Sequence, residues 1–336
     1  MDKIILDIPI STIIKVVVSI VAIYFLWAIR DIILLFFIVL VLVAALSPIV
    51  DKWSKKMNRV LAITLLYILI LVVIVSASAI ILPPAVMQIE QLSNSLPKYF
   101  NDYLPLFGFW SDLLKASQEG LTTVAQSLSS ITNQVFTATI GVFGGLIAAF
   151  TVIVLTFYLL LEEQGAKKFI LEYLPLENRE KIVNIAQKIG NKMGAWLRGQ
   201  IMLGAIIGVL VGIGLAIIGV PYAVTLAVWA GFTELIPYIG PILGAIPAIL
   251  IGFATTPLIG ILVVALYIVI QQLEASVLVP KVMQKAVGLS PVIIILAILI
   301  GAKLAGLIGV ILSIPVAAAV GVIITDWNLI KKVNLK

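Results

Sequence analysis

Two carboxylates in the last third of this sequence interrupt long apolar stretches. Glu274 shares a helix face with Gln271, because residues three apart are neighbours on a helix surface, and Gln272 lies beside them. Ionisable side chains in apolar helices usually face a bundle interior or a water path. Glu234 and Glu274 therefore suggest binding of a proton, a cation or a polar solute. The alternative for Glu274 is a place near the membrane surface, since it precedes Pro280 by only about 9 Å of helix.

Glu234 stands at the end of a short apolar segment, one turn before Pro237. One interpretation is that its carboxylate binds a proton or a cation, or contacts a substrate. The other interpretation is structural: the side chain accepts hydrogen bonds from backbone amides that the proline break leaves unpaired. One residue could do both. Pro237, Tyr238 and Gly240 are candidates for the same binding site.

Three further polar residues lie near the ends of predicted helices. Lys303 could pair with one of the two glutamates, attract an anionic or hydroxylated substrate, or extend to the membrane surface. Arg198 and Gln200 stand at the predicted cytoplasmic mouth of the helix 200–219. For Arg198 we favour an interfacial anchor over a substrate contact.

The helix 200–219 also carries a face of small residues. Gly204, Gly208 and Gly212 form two overlapping G-x-x-x-G steps. Such a face lets two helices approach closely. We interpret it as a site of helix packing and not as a binding motif.

Composition defines the elements that must position these residues. Of the 336 residues, 62% are hydrophobic and 11% are charged, against about 45–50% and about 25% in soluble domains. The surplus apolar surface must face lipid, so we predict an all-α, polytopic integral membrane protein. The chain has no Cys, no His and no P-loop motif, which removes most nucleophiles, zinc ligands and nucleotide chemistry. We expect no enzyme activity, no catalytic residue, no metal, no cofactor and no nucleic-acid partner.

The number of apolar runs predicts the number of spans, since a bilayer core of about 30 Å requires about 20 apolar residues of helix. We predict about six full spans plus two oppositely oriented re-entrant helical hairpins. The first run ends at Arg30 without a cleavage site, so we expect a retained span. The six runs lie near residues 13–29, 32–50, 60–82, 139–161, 200–219 and 257–279.

Charge in the loops predicts the orientation. Residues 162–198 carry seven bases and residues 51–59 carry four, whereas residues 83–138 carry four acids against two bases. By the positive-inside rule the first two stretches are cytoplasmic and the third lies outside. We therefore predict a multi-pass protein of the cytoplasmic (inner) membrane with both termini in the cytoplasm.

The outer segment begins at Pro83-Pro84, which we expect to end the third span. Further along, apolar residues repeat at intervals of three and four, which predicts an amphipathic helix. This helix could lie on the membrane or on its own bundle, or it could form a subunit contact in a homo-oligomer. The repeating residues are Leu121, Val124, Leu128, Ile131 and Val135.

The last third departs from the pattern of full-length spans. Residues 223–235 and 242–254 are too short to cross a bilayer, and a proline- and glycine-rich stretch separates them. Residues 291–302 and 307–325 flank a second such break. If both breaks are re-entrant hairpins, the five following lysines lie in the cytoplasm. If residues 223–254 instead cross as one kinked helix, Lys281 and Lys285 fall outside, and the three C-terminal lysines fall outside too when residues 292–325 turn back. The charge rule therefore favours two hairpins.

Interrupted helices at membrane depth are tolerated where the open backbone lines a cavity, and a pair of them is typical of transporter binding sites. The two breaks share a loose spacing, Gly240 to Gly244 then Pro247 and Gly306 to Gly309 then a proline, which suggests an inverted repeat. The alternative is a bundle with proline kinks and no transport role.

These observations divide the chain into five parts. The predicted parts are the N-terminal transmembrane helices (1–82), an extracytoplasmic amphipathic helical segment (83–138), a fourth span with a basic cytoplasmic loop (139–198), a transport core with broken helices (199–325) and a cytoplasmic tail (326–336).

The same residues carry a resemblance to a known family. Together they resemble the autoinducer-2 exporter (AI-2E) family of bacterial and archaeal permeases over nearly the whole chain. The motifs are Arg198-Gly199-Gln200, Gly219-Val220-Pro221-Tyr222, Glu234-Leu-Ile-Pro-Tyr-Ile-Gly-Pro241, Gln272-Leu-Glu274, Pro280-Lys281, Gly288-Leu289, Pro291, and Gly306-Leu-Ile-Gly309 with Pro315.

The chain departs from the family pattern at three places. It has Glu274-Ala275-Ser276 where the family often has Glu-Gly-Asn, and Leu289-Ser290-Pro291 where the family often has Leu-His-Pro. Gln284 replaces a frequent glycine. If the Asn or the His contacts substrate in relatives, the substrate here differs.

The resemblance implies a homo-oligomeric transporter, with a pentamer as one arrangement, that moves small molecules or ions across the lipid bilayer without ATP. Members are associated with export of autoinducer-2, with sodium–proton exchange or with other small metabolites. We favour an exporter of a small polar solute coupled to a proton or sodium gradient. The alternatives are a sodium–proton antiporter and a non-transporting membrane scaffold whose segment 83–138 binds partners.

Overall fold

A computed structural model describes residues 10–103, 139–162, 179–283 and 288–326, and all regular structure in these ranges is helical. The predicted heptad in residues 121–135 lies outside the described residues. The described helices are α1 (Ile10–Ala28), α2 (Arg30–Ser54), α3 (Arg59–Tyr103), α4 (Thr139–Leu161), α5 (Arg179–Ile218), α6 (Ala223–Thr233), α7 (Gly240–Thr255), α8 (Pro257–Leu273), α9 (Val279–Met283) and α10 (Pro291–Thr325), with a π turn (Glu274–Leu278) between α8 and α9.

Six of the described helices contain a stretch long and apolar enough to cross a membrane. Large apolar side chains such as Ile217 and Phe150 lie exposed on their outer faces, which is the normal surface of a protein in lipid. The prediction of an all-α polytopic membrane protein is confirmed. The six stretches are Ile10–Ala28, Arg30–Ser54, Arg59–Ile81, Arg179–Ile218, Pro257–Val282 and Pro291–Thr325.

Local signals in the sequence explain where several helices begin and end. The Thr256 side chain caps α8 by accepting from the Ile259 N–H at 3.1 Å, and Pro257 occupies the first turn. α5 ends at Gly219, whose φ of 82° is favourable only for glycine, and the Val220 N–H then donates to the Leu215 carbonyl at 3.0 Å. The first signal separates α7 from α8, and the second separates the long helix α5 from the short helix α6.

Three clusters of buried side chains hold the helices together. The first, around Leu160, joins α2, α3 and α4. The second, around Trp196, joins α2, α5 and α10. The third, around Val211, joins α5, α6, α7 and α8. Because α2 and α5 each belong to two clusters, they connect the N-terminal spans to the last third of the chain.

Several helices contain a proline whose missing N–H leaves the carbonyl four residues earlier without its helical partner. Pro48 frees the Ala44 carbonyl, and the Arg198 guanidinium of α5 donates to it and to the Ala45 carbonyl, each at 3.0 Å. Arg198 was predicted as an interfacial anchor. The structure places it between two helices, where it satisfies a proline kink.

The helix α3 does not end at Pro83-Pro84, and the end of the third span at these prolines stays a prediction. α3 continues to Tyr103. The physical reason is that the freed backbone finds other partners: the Thr225 hydroxyl of α6 donates to the Ile80 carbonyl at 3.3 Å, and Ile80 precedes the second proline by four residues.

The proline inside α7 is satisfied in the same way. Pro247 frees the Leu243 carbonyl, which accepts from the Trp229 indole N–H of α6 at 2.9 Å. The Tyr267 hydroxyl of α8 donates to the next carbonyl, that of Gly244, at 3.0 Å. The kink in α7 is therefore held from both sides by neighbouring helices.

Trp229→Phe is expected to destabilise the fold by about 1 kcal/mol, because it leaves the Leu243 carbonyl unpaired. Pro247→Ala restores an N–H that can bond this carbonyl, so Trp229→Phe should cost much less in that background. Equilibrium unfolding in mixed micelles of the four proteins of this cycle measures the difference. An equal cost in both backgrounds would show that the indole does not compensate for the proline.

Candidate functional site

The first predicted break lies where expected, between α6 and α7. Residues 234–239 are not helical, and Tyr238 adopts a left-handed φ of 64°. The Ile236 N–H donates to the Thr233 carbonyl at 2.9 Å, and the Gly240 N–H donates to the Ile236 carbonyl at 2.8 Å. The turn therefore pairs part of its own backbone, as a break at membrane depth requires.

Glycines bring the two halves of this break into close contact. A Cβ at Gly244 would lie 3.0 Å from the Thr233 hydroxyl oxygen and 3.2 Å from the Ala230 Cα, and a Cβ at Gly240 would collide with the Thr233 carbonyl. α6 and α7 therefore run antiparallel as a tightly packed helical pair. Thr233 itself is buried and donates to the Ala230 carbonyl at 3.0 Å.

The small-residue face of α5 packs against α6. A Cβ at Gly204 would lie 2.5 Å from the Gly231 carbonyl oxygen, and a Cβ at Gly208 would lie 3.0 Å from the Ala227 carbonyl oxygen. Gly212 also faces Ala227, since a Cβ at Gly212 would lie 2.9 Å from the Ala227 Cβ. These contacts place the backbones of α5 and α6 side by side, which brings the end of α6 to the middle of α5.

Gln200 lies on the same side of α5 and reaches the break. Its side chain is 4% exposed, and its amide N–H donates to the backbone carbonyl of Glu234. Sequence reasoning placed Gln200 at a cytoplasmic mouth, whereas the structure places it in the interior. The spacing of four residues between Gln200 and Gly204 puts both on one helix face, which was the available signal.

Glu234 and Glu274 meet in the interior of the last third. The two residues are 2% and 7% exposed. Both border a cavity of about 10 Å³. The Glu234 Oε2 atom has no hydrogen-bond partner among the described residues. The cavity is lined by Ile207, Ala230, Glu234, Pro241, Gly244, Tyr267, Ile270, Gln271 and Glu274.

Glu274 is positioned by an irregularity that the sequence did not predict. It begins a π turn that ends at Leu278, in which the Val279 N–H donates to the Glu274 carbonyl. Pro280 follows directly. It has no N–H to donate to the Ser276 carbonyl, and in a regular α-helix its ring would clash with that carbonyl, so the wider turn before it relieves the clash. Single π turns within α-helices are frequent at functional sites.

The second predicted break lies within α10. Ala305 (φ −143°, ψ 21°) and Gly306 (φ 56°, ψ −136°) leave helical geometry, and Gly306 adopts a conformation that only glycine takes without strain. The backbones of Gly301 and Gly309 are in contact, and a Cβ at Gly301 would lie 3.1 Å from the Ser313 Cβ. The two halves of α10 therefore fold back on one another.

Lys303 lies beside this second break but away from the carboxyl pair. It is exposed, and no ion pair joins it to Glu234 or Glu274 in the structure. Of the three interpretations given above, pairing with a glutamate is not what the structure shows. The two breaks thus contribute differently, since only the first reaches the buried cavity.

The remaining predicted residues surround the first break unequally. Pro237 is buried at the turn, and Tyr238 is 58% exposed beside it. Gln271 lines the cavity. Gln272 is exposed, and its amide donates to the Ser276 hydroxyl oxygen at 3.2 Å, so it belongs to the rim of the π turn and not to the cavity.

Sequence reasoning missed Tyr267 and Trp229. Tyr267 precedes Gln271 by four residues and therefore lies on the same face of α8 as the polar stripe, a signal that was available. It lines the cavity and also pairs the kinked backbone of α7. Trp229 carried no such signal, because its role depends on the contact between α6 and α7.

These features define a polytopic helical membrane protein with a buried carboxyl pair beside interrupted helices. The model of the AI-2E family transporter matches residues 13–329, and the chain belongs to this family of transporters.

Relatives of known name support the same assignment. The chain is 28% identical to Putative transport protein YueF of Bacillus subtilis over 82% of this chain and 78% of the relative. It is 27% identical to Putative transport protein YrrI of the same organism over 90% and 88% of the two chains. It is 32% identical to Putative transport protein sll0060 of Synechocystis over 60% and 57%.

Gly204→Ala is expected to destabilise the protein by about 1–3 kcal/mol, because the new Cβ would push the Gly231 carbonyl away and separate α5 from α6. Gly190→Ala in the same helix is the matched control, since a Cβ there meets nothing within 4 Å. The control should be neutral or stabilising by up to about 1 kcal/mol. Thermal unfolding in detergent measures both. Equal melting temperatures would contradict close packing at Gly204.

Proposed function

We propose that the protein is a secondary exporter of a small polar solute, driven by a proton or sodium gradient that is coupled at Glu234 and Glu274. The observation that carries the proposal is that both glutamates are buried and line the same small cavity. Two carboxylates in contact away from water repel one another unless a proton or a cation lies between them. A site that must take up such an ion is what gradient coupling requires.

The size of the cavity assigns the pair to the coupling ion and not to the solute. A volume of about 10 Å³ holds no more than one water molecule or a small ion. A solute of several carbon atoms does not fit there. We therefore infer that the solute passes beside the break, along the exposed face of Tyr238, in a state with a wider path.

The two helix breaks support a model of re-entrant hairpins. α6 has 11 residues, about 16 Å of helix, which is too short for a bilayer core of about 30 Å. In this model the α6–α7 pair enters from outside and the two halves of α10 enter from the cytoplasm. This arrangement keeps Lys281 and the C-terminal lysines in the cytoplasm of a cytoplasmic-membrane protein.

A sodium–proton antiporter is the second candidate. The same carboxyl pair and the same small cavity favour it, because exchange of two ions at one site needs no path for a larger solute. The two candidates differ in whether a solute moves with the ion.

Glu234→Gln and Glu274→Gln are expected to reduce ion movement to the rate of protein-free liposomes. A neutral amide cannot exchange a proton and binds a cation weakly. Purified protein is reconstituted in liposomes, a pH or sodium gradient is imposed, and a pH dye and efflux of labelled solutes are followed together. Solute efflux with ion movement supports the exporter, and ion movement alone supports the antiporter.

Glu180→Gln is the matched control, since Glu180 is an exposed glutamate in the first turn of α5. It should behave as the wild type. If both Glu234→Gln and Glu274→Gln also match the wild type, the assigned coupling site is wrong. If the wild type moves neither ions nor solutes under any gradient, secondary transport itself is refuted.

The hairpin model predicts that a cysteine at Lys281 reacts with a membrane-impermeant maleimide only after the cells are permeabilised. The native chain has no Cys, so a single introduced cysteine reports one position. Lys55→Cys is the control for the cytoplasmic side and Asp112→Cys for the outside. Labelling of Lys281→Cys in intact cells would instead show that residues 223–254 cross as one kinked helix and would overturn the α6–α7 hairpin.

A further inference from the structure

A large open groove lies far from the carboxyl pair, between the end of α2 and the first turns of α3. Its volume of about 650 Å³ is within the range of about 300–1,000 Å³ that ligand sites occupy. Its lining changes from basic to apolar along its length. The lining residues are Lys52, Trp53, Lys56 and Met57 at one end and Leu65, Ile68, Leu69 and Val72 along α3.

The two lysines in the groove have no acidic partner among the described residues. Asp51, the nearest carboxylate in the chain, accepts from the Arg59 guanidinium at 2.9 Å and from the Ser47 hydroxyl at 3.2 Å. None of the ion pairs between described residues includes Lys52 or Lys56. The basic end of the groove therefore carries positive charge that the described residues do not neutralise.

The apolar end of the groove is a continuous stripe on one helix. Leu65, Ile68, Leu69 and Val72 follow one another at intervals of three, one and three, and each is 40–54% exposed. They cover about 10 Å along α3. A hydrocarbon chain lying on this stripe would contact apolar side chains throughout.

We propose that this groove binds an anionic phospholipid, with its phosphate at Lys52 and Lys56 and an acyl chain along α3. The order of the lining, positive charge and then apolar surface, is complementary to a charged head group followed by a hydrocarbon chain. Trp53, at the basic end of the groove, has the amphipathic ring that favours the membrane interface. Basic residues at the cytoplasmic end of a span attract anionic lipids, and residues 51–59 are predicted to be cytoplasmic.

The test uses the fluorescence of Trp53, which a brominated lipid in the groove should quench. Full-length protein is placed in bilayers that contain brominated phosphatidylglycerol or brominated phosphatidylcholine in varying proportions. The Trp53 contribution is the difference between the protein and its Trp53→Phe variant. We expect a preference for phosphatidylglycerol of about 30-fold, roughly fivefold for each lysine, and its loss in the double variant Lys52→Gln/Lys56→Gln.

The double variant Lys55→Gln/Lys281→Gln removes the same charge outside the groove and should keep the preference. Equal quenching by the two lipids in the wild type would overturn the proposal, and so would an equal loss in both double variants. Glycerol 1-phosphate, which has the head-group charge without an acyl chain, should not displace the lipid. Displacement by this soluble anion would assign the lysines to another ligand and would also overturn the proposal.

Discussion

This structure depends on one constraint. The backbone N–H and C=O groups that are left open at helix breaks must find hydrogen-bond partners. In lipid no water is available to hydrogen-bond an open carbonyl. A carbonyl that a proline leaves unpaired therefore needs a hydrogen-bond donor from a neighbouring helix. Arg198 donates to the carbonyl that Pro48 leaves unpaired, and Trp229 donates to the carbonyl that Pro247 leaves unpaired. Thr225 does the same for the carbonyl ahead of Pro84. The polar side chains of this apolar protein are therefore placed where the backbone needs them.

Close approach of helices makes this pairing geometrically feasible. Lipid tails are as apolar as leucine, so burying apolar surface drives helices together less strongly than in water, and small residues must let backbones touch. Gly204 brings α5 against α6, and Gly244 brings α7 against α6. These contacts place Gln200 and the Tyr267 hydroxyl beside the broken backbone. The same packing excludes water from the two carboxyl groups, which gives them their chemical significance.

The carboxyl pair combines two irregularities of different origin. Glu234 lies at the end of a short helix, and Glu274 lies at a π turn that precedes Pro280. Neither irregularity is required for a stable bundle, since continuous helices would satisfy every backbone group without help. Both irregularities border one cavity, as strained or irregular backbone at functional sites often does. Among the described residues, α10 contributes none to this cavity, so the two breaks of the proposed repeat are unequal.

The amino-acid sequence by itself determined the class of protein, the apolar helices and both helix breaks, because these follow from composition, run length and the covalent limits of proline and glycine. It also pointed to Glu234, Gln271 and Glu274, since charge within an apolar run is costly wherever it lies. Only the tertiary structure decided that Glu234 and Glu274 line one cavity, that Gln200 bonds the Glu234 backbone carbonyl and that Lys303 does not line that cavity. Distances between residues far apart in sequence depend on how helices pack, and packing depends on side-chain shape at many positions at once.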